Sequence, residues 1–321
     1  MVTINDISIN ILSSNRAEFI KSTINSLLNQ SIKIDEINVF DNISKDNTID
    51  ILKSFRIPRL NIFENNREMS LFENFRKAVS HTNKKFIVIF HDDDIIHPRY
   101  LEFALRALNL NHNIGLICSG MIRTNSPEKL FFKEYNFSYI KLKKVKDLMS
   151  LVYQGFPMCF PSCIYKTVNL KKAVLDKDCF GKIADRPIVY DSLNKNEEIV
   201  LLPGQFVNYR VHKGQISNSP MTGPFVNEVF ALQKIYYDNL YLGSSLRHKI
   251  LFLFSFYHYM SLDFKNFRKE FKSKQDFINE FVKYIKGERY FVFVSQVFFY
   301  LKLRNIYKSY RLIKRNLNQY S

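Results

Sequence analysis

The chain has 321 residues, enough for two domains or for one domain with a long appendage. Hydrophobic residues make up 46% and charged residues 24%, which is the balance of a globular protein and not of a disordered or fibrous one. The net charge of +17 is uneven: residues 225–321 hold 17 Lys and Arg against 7 Asp and Glu, so an anionic partner is expected.

Ile7 to Leu12 alternates apolar and polar residues and predicts a first strand. Ser13-Ser14-Asn15-Arg16 follow as a polar turn suited to capping a helix. That helix sets Phe19, Ile20, Thr23, Ile24, Leu27 and Leu28 on one face. Glu36 to Phe40 predicts a second strand, ending in Asp41-Asn42. A second helix is expected from Ser44 through Phe55, a third strand over Leu60 to Phe63, and a third helix over Ser70 to Val79. The five apolar residues Phe86 to Phe90 predict a fourth strand buried on both faces. It runs into His91-Asp92-Asp93-Asp94, and Pro98 opens the next helix, where a missing N–H costs nothing.

Gly115 to Ile122 predicts a fifth strand, while residues 124–150 show no clear pattern beyond a basic patch at Lys141, Lys143, Lys144 and Lys146. A loop over 155–163 leads into a short strand at Ile164-Tyr165 and a helix to about Leu175. Asp185-Arg186 leads a helix over Ile188 to Leu193, and Glu197 to Leu202 predicts a strand that stops at Pro203-Gly204. Gly, Ser and Pro over 214–224 predict a linker. Four helices are expected after it, over 226–242, 246–263, 266–286 and 289–316.

Strands alternating with helices predict βαβ units and a parallel sheet. Polar clusters at the strand ends, Ser13 to Asn15, Asp41-Asn42 and Asp92 to Asp94, then line one crevice. Three adjacent carboxylates repel one another, and a cation relieves that repulsion. Hard carboxylate oxygens suit Mg²⁺ or Mn²⁺. The competing reading is a solvated acidic turn that caps the next helix. No GxGxxG or Walker-type loop occurs, which argues against a dinucleotide fold and a P-loop. Cys118, Cys159, Cys163 and Cys179 form no CxxC pair and read as reduced, mostly buried thiols. The first residues lack a signal-peptide pattern, and no apolar run approaches the ~20 residues of a spanning helix, so a cytoplasmic location is expected.

Four segments, in order, resemble glycosyltransferase family 2. The first is Ile11 to Gln30, with its Ser13-Ser14-Asn15-Arg16 turn and a helix ending Ser-Leu-Leu-x-Gln. The second is Asp41-Asn42-Ile43-Ser44-Lys45-Asp46-Asn47-Thr48, similar to the family's Asp-Asn-Gly-Ser-x-Asp-x-Thr, with Ile43 in place of glycine. The third is Asn74-Phe75-Arg76-Lys77-Ala78 before the strand that ends in the acid triplet. The fourth is Tyr209-Arg210-x-His212-x-x-Gln215-x-Ser217.

The resemblance implies a GT-A fold: an α/β, Rossmann-type, mostly parallel sheet with flanking helices. It would form a catalytic domain over 1–217, followed by a helical, basic and aromatic C-terminal region over 218–321. It implies an inverting, metal-dependent hexosyltransferase that moves a sugar from a nucleotide-diphosphate sugar, UDP-linked, to a glycan hydroxyl. Donor contacts would fall to Ser13, Asn15, Arg16, Asp41, Asn74, Arg76, Asp92, Asp93 and Arg210. Asp92, Asp94 and His212 would hold Mn²⁺ or Mg²⁺, with the register inside the triplet open because Asp93 competes as a ligand. Asp185 matches the family's catalytic base, and a helix N-cap is its structural alternative. The loop over 155–163 lies where the family builds its acceptor side.

Tyr290 to Val294 and Val297 to Leu301 are apolar and aromatic, and six basic residues from Lys302 to Arg315 follow with no acid after Glu288. This composition suits an interfacial helix on an anionic leaflet, or equally a helix packed on the catalytic domain with solvated charges. On the first reading the protein sits peripherally on the inner face of the cytoplasmic membrane. Its acceptor is then a lipid-linked glycan of bacterial surface-polysaccharide synthesis, such as O-antigen or capsule. Two other classes compete. A nucleic-acid-binding protein would show a recognition motif that is missing here, so no nucleic-acid partner is expected. A nucleotidyltransferase would show a Gly-rich basic loop after the first strand, which is also missing.

Overall fold

The computed structural model describes residues 1–57, 59–129, 132–175, 185–215 and 225–285. Four parallel strands form one half of the sheet: Ile7–Ser13 (β1), Ile37–Asp41 (β2), Leu60–Glu64 (β3) and Phe86–His91 (β4), in the order β3-β2-β1-β4. All of β1 and β2 is buried, as their mostly apolar runs require of strands covered on both faces. Ile20–Leu28 (α1), Thr48–Ser54 (α2) and Leu71–His81 (α3) make the crossovers.

Local chemistry sets these helices. Ser70 and Glu73 close a capping box on α3: Ser70 Oγ accepts the Glu73 N–H at 3.2 Å and the Ser70 N–H donates to Glu73 Oε2 at 2.8 Å. On α1, Ile20, Ile24 and Leu27 are all fully buried. They join Ile7, Ile9, Ile11, Val88 and Phe90 of the sheet in one core. Each such side chain contributes about 1.5–3 kcal/mol on burial, so this face fixes where the N-terminal end of α1 meets the strand ends.

Past β4 the sheet is mixed. It includes Ile95–Ile96 (β5), Ile114–Thr124 (β6), Ile140–Leu142 (β7), Ile164–Lys166 (β8) and Glu198–Arg210 (β9). β8 lies antiparallel between β4 and β6, β6 pairs parallel with β9, and β5 and β7 pair antiparallel with β9. Tyr100–Leu110 (α4) follows β5. Among the described residues, Val145–Tyr153 (α5), Thr167–Leu175 (α6) and Asp185–Asp191 (α7) are the α-helices between α4 and β9.

Two expectations change here. The last strand does not stop at Pro203-Gly204. Its register against β6 shifts around Gly120, where Ser119 faces Leu202 and Gly120 faces Gln205, so a bulge absorbs the Pro-Gly pair and the strand continues to Arg210. The bulge admits only a residue without a Cβ at 204, because one there would sit 2.5 Å from the Phe206 ring. Residues 124–150 also hold more order than their sequence shows: a 3-10 turn at Pro127–Lys129, β7, and the start of α5.

The chain divides into two compact units, the first built on residues 1–148, 157–175 and 185–215, the second on 149–156 and 225–285. The second unit contains Phe225–Tyr236 (α8), a π-helical turn over Tyr237–Tyr241, Leu246–Phe267 (α9) and Lys274–Tyr284 (α10). Aromatic rings fill it: Tyr153 stacks on Tyr236 at 4.3 Å and on Phe252 at 5.1 Å, and its hydroxyl donates to Gln233 Oε1 at 2.9 Å. Among the described residues no helix is long and apolar enough to cross a membrane. The expected linker beyond Gln215, the helix over 289–316 and Cys179 lie outside the described residues. Cys118, Cys159 and Cys163 are free and buried.

Candidate active site

The C-terminal ends of β1, β2 and β4 carry Ser13, Asp41 and the turn Asp92-Asp93-Asp94. In an α/β sheet this edge is where ligands bind. The acid turn is pinned from several directions. Thr23 of α1 donates its hydroxyl to the carbonyls of Asp92 (3.1 Å) and Asp94 (2.9 Å). The Ser14 N–H donates to Asp92 Oδ2 at 2.9 Å, and the Arg210 N–H donates to Asp94 Oδ1 at 3.0 Å. Gln30, two residues past α1, anchors the chain after the acid turn by donating to the His97 carbonyl at 2.8 Å and accepting the Leu101 N–H at 3.1 Å.

All three acids are buried, with Asp94 fully so. Burial pushes Asp92 up to about 7; the Arg16 guanidinium, 3.2 Å from its Oδ1, pulls the other way, and Asp93 adds to the rise. Asp94 is raised well above the carboxylate range, first by burial and then by the neighbouring Asp93. His212 Nε2 lies 2.9 Å from Asp93 Oδ2, and its ring packs on Phe19 at 4.6 Å.

Asp185 is the first residue of α7. It lies within electrostatic reach of His91, whose Nδ1 is 3.6 Å from Asp94 Oδ2. The Asp185 side chain is open to solvent, yet the protein around it raises its pKa; His91 and then Arg186 oppose that rise. Solvent contact limits the shift but leaves its direction upward.

The remaining predicted residues fall into two groups. Asp41 accepts the Ser44 N–H at 2.8 Å and holds the β2 turn. Asn15, at φ 52°, accepts the Lys45 N–H at 2.8 Å, which ties the first turn to the second. Ser13, Asn15, Arg16 and Asp41 therefore share one rim with the acids. Asn74, Arg76 and Arg210 have other partners. Asn74 is buried and donates to the Phe40 carbonyl at 3.0 Å, and Arg76 donates to the Val174 carbonyl at 3.1 Å over the Phe72 ring. Arg210 is 4% exposed. Its guanidinium lies over Phe19, donates to the Asp93 carbonyl at 2.8 Å and Ser22 Oγ at 3.1 Å, and pairs with Glu128. This places Arg210 behind the acid turn, in a supporting position.

Thr23, Glu128 and His91 complete the site without having been singled out from sequence. Only His91 carried a signal: an imidazole ending an otherwise apolar strand, directly before the acids. Glu128 meets Arg210 across 82 positions of chain and offers no local pattern.

The residues fit a divalent cation. One atom each from His91, Asp93 and Asp94 fall within 4.8 Å of one another. Asp94 Oδ2 is buried with no hydrogen-bond partner among the described residues. Such an atom costs about 1–3 kcal/mol, or more when charged, and a bound cation removes the penalty.

The family model for glycosyl transferase family 2 matches residues 8–168. An uncharacterized glycosyltransferase of Methanocaldococcus jannaschii is 26% identical over 163 residues, covering 50% of this chain and 55% of that relative. The match thus spans about half of the relative's length. Among solved structures, S. aureus TarS 1–349 in complex with UDP-GlcNAc superposes with a TM-score of 0.63 at 17% identity, covering 87% of this chain and 81% of that one. The complex of the same protein with UDP gives 0.57 at 16% identity, covering 98% and 92%. These likenesses show a shared fold.

Proposed function

Because the chain belongs to glycosyl transferase family 2 and is a glycosyltransferase, we propose that it transfers a sugar from a UDP-sugar to a glycan hydroxyl, with inversion at the anomeric carbon. The observation that carries this reading is the placement of Asp41 and the buried acid triplet at one edge of the first unit's sheet, with Asp185, at the start of α7, in the field of His91. Asp41 and Asn15, on adjoining turns, receive the base of the nucleotide, with Ser13 beneath them. Arg16, held by Asp92, faces the diphosphate. Asp93 and Asp94 hold a divalent cation, Mn²⁺ or Mg²⁺, with His212 steadying Asp93. When bound, that cation supplies positive charge against the charge growing on the departing diphosphate. Asp185 takes the proton from the acceptor hydroxyl, and its upward-shifted pKa makes it a stronger base than an ordinary surface aspartate.

The basic, aromatic composition of residues 286–321 supports peripheral attachment to an anionic membrane face and a lipid-linked acceptor. O-antigen or capsule synthesis in a bacterium is the setting that suits such an acceptor. UDP titration with and without Mn²⁺ tests the donor half. Binding should depend on the metal and weaken by about tenfold or more in Asp94→Ala. Asp185→Asn should bind UDP like the parent and transfer nothing. Full transfer by Asp185→Asn removes the base assignment; UDP binding indifferent to metal and to Asp94→Ala removes the cation role.

A further inference from the structure

His91 ends β4 with its side chain 31% exposed, half in the fold and half toward solvent. The Phe160 ring lies nearly parallel to the imidazole, at 22° and 6.1 Å, and orients it. Nδ1 points at Asp94, 3.6 Å from Oδ2. That oxygen is the buried acceptor with no hydrogen-bond partner among the described residues, while its twin Oδ1 is satisfied by the Arg210 N–H. A separation of 3.6 Å is too long for a hydrogen bond and suits two atoms that ligate one ion between them. Asp93 supplies the third atom of the group.

We propose that His91 ligates the divalent cation together with Asp93 and Asp94, and that its nitrogen makes the site select a first-row transition ion such as Mn²⁺ over Mg²⁺. The assignment rests on the sugar-transfer reading for the ion's role, and on geometry alone for the ligand. The donor type gives the selectivity: imidazole nitrogen suits transition ions, whereas Mg²⁺ takes oxygen. His212 is outside the group, because its Nε2 already meets Asp93 Oδ2 at 2.9 Å and can steady that carboxylate.

The experiment is Mn²⁺ titration of the full-length protein without nucleotide, followed by electron paramagnetic resonance. Pulsed spectra then detect a nitrogen bound directly to the ion. The wild type should bind Mn²⁺ and show that nitrogen coupling. His91→Asn should lose the coupling and bind Mn²⁺ weaker by roughly tenfold or more, with Mg²⁺ affinity changed by less than about threefold. His212→Asn should keep the coupling. Bound Mn²⁺ without nitrogen coupling in the wild type overturns the proposal with no variant needed. So does coupling that survives in His91→Asn or vanishes in His212→Asn alone, and so does a wild type that binds no Mn²⁺. A parallel UDP titration separates the two readings: failure to bind UDP under any metal condition sinks the donor assignment, while the nitrogen signal decides His91 by itself.

Discussion

Ile43 holds φ at 53°, in the left-handed region that a β-branched residue rarely enters. It occupies the place where the family pattern has glycine, in the turn that lets Asp41 accept the Ser44 N–H. The left-handed conformation costs about 1–2 kcal/mol for a residue with a Cβ. Glycine removes that cost but adds about 0.5–1 kcal/mol of chain entropy, and the half-buried side chain loses some apolar contact. Ile43→Gly should therefore change stability by less than about 1 kcal/mol, where a half-buried isoleucine in ordinary backbone would lose clearly more. Urea unfolding of Ile43→Gly beside Ile43→Ala, which keeps the strain, decides this: the alanine variant should be the less stable of the two. At Asp185 the expected effect is on rate. In the proposed role of base Asp185 must be ionised, and the protein around it raises its pKa, so kcat should fall as pH drops through a value above the usual carboxylate figure of about 3.9. A pH–kcat profile whose acidic limb lies at or below that figure would contradict the environment described for Asp185.

Among the elements, the parallel half of the sheet carries a polar ladder inside its apolar strands. Asn10 of β1 faces Asn38 of β2, and Asn38 faces Asn61 of β3. Asn38 donates to Asn10 Oδ1 at 3.1 Å, Asn61 donates to Asn38 Oδ1 at 2.9 Å, and Asn10 donates to the Ala78 carbonyl of α3 at 2.7 Å. A one-residue slip would turn these amides toward the opposite face of the sheet, so the ladder fixes register and with it the level of Ser13 and Asp41. Asn38→Val should cost about 2–3 kcal/mol by stranding the amides on both sides, and Asn38→Val with Asn61→Val should recover part of that. A single variant as stable as the parent by urea unfolding would show the ladder to be ornamental. The same strands were the most readable part of the chain, because uninterrupted runs such as Phe86 to Phe90 leave one interpretation. β9 was not, since Pro203-Gly204 reads as a stop and only pairing with β6 reveals the bulge. α5 was hidden by the lysines before it, although Leu148, Met149, Val152 and Tyr153 keep helical spacing and are buried. At the site, the acids and the polar strand ends were legible as local clusters. Thr23, Glu128 and the supporting place of Arg210 were not, because each depends on a partner distant in sequence.

Over the whole molecule, a chain of net charge +17 sets three buried acids at one sheet edge. On the proposed function, the general field would draw in an anionic nucleotide, and the local acids the cation that nucleotide needs. Stability should record this arrangement. With metal removed, Asp92 is raised from 3.8 to about 7 in the fold. Between those values the folded state holds more protons than the unfolded chain, so stability falls as pH rises from about 4 to about 7. Below that window both states are protonated and the fold is at its best with respect to this group; above it the loss is complete, at most about 4 kcal/mol. Asp94, raised in the same direction by burial, adds to the trend. On the proposed function a cation competes with these protons and replaces them as the partner of the acids. Mn²⁺ should therefore raise the melting temperature more at pH 7.5 than at pH 5, by roughly 5–10 °C at the higher pH when present at a hundredfold over its Kd. Asp94→Asn should lose most of that gain, because the amide keeps the shape but offers the cation no charged oxygen. Melting curves with Mn²⁺ and with a chelator, at both pH values, settle the matter. An equal Mn²⁺ effect at pH 5 and 7.5 would mean that the acids do not trade protons for metal, and the cation would then have to be held elsewhere.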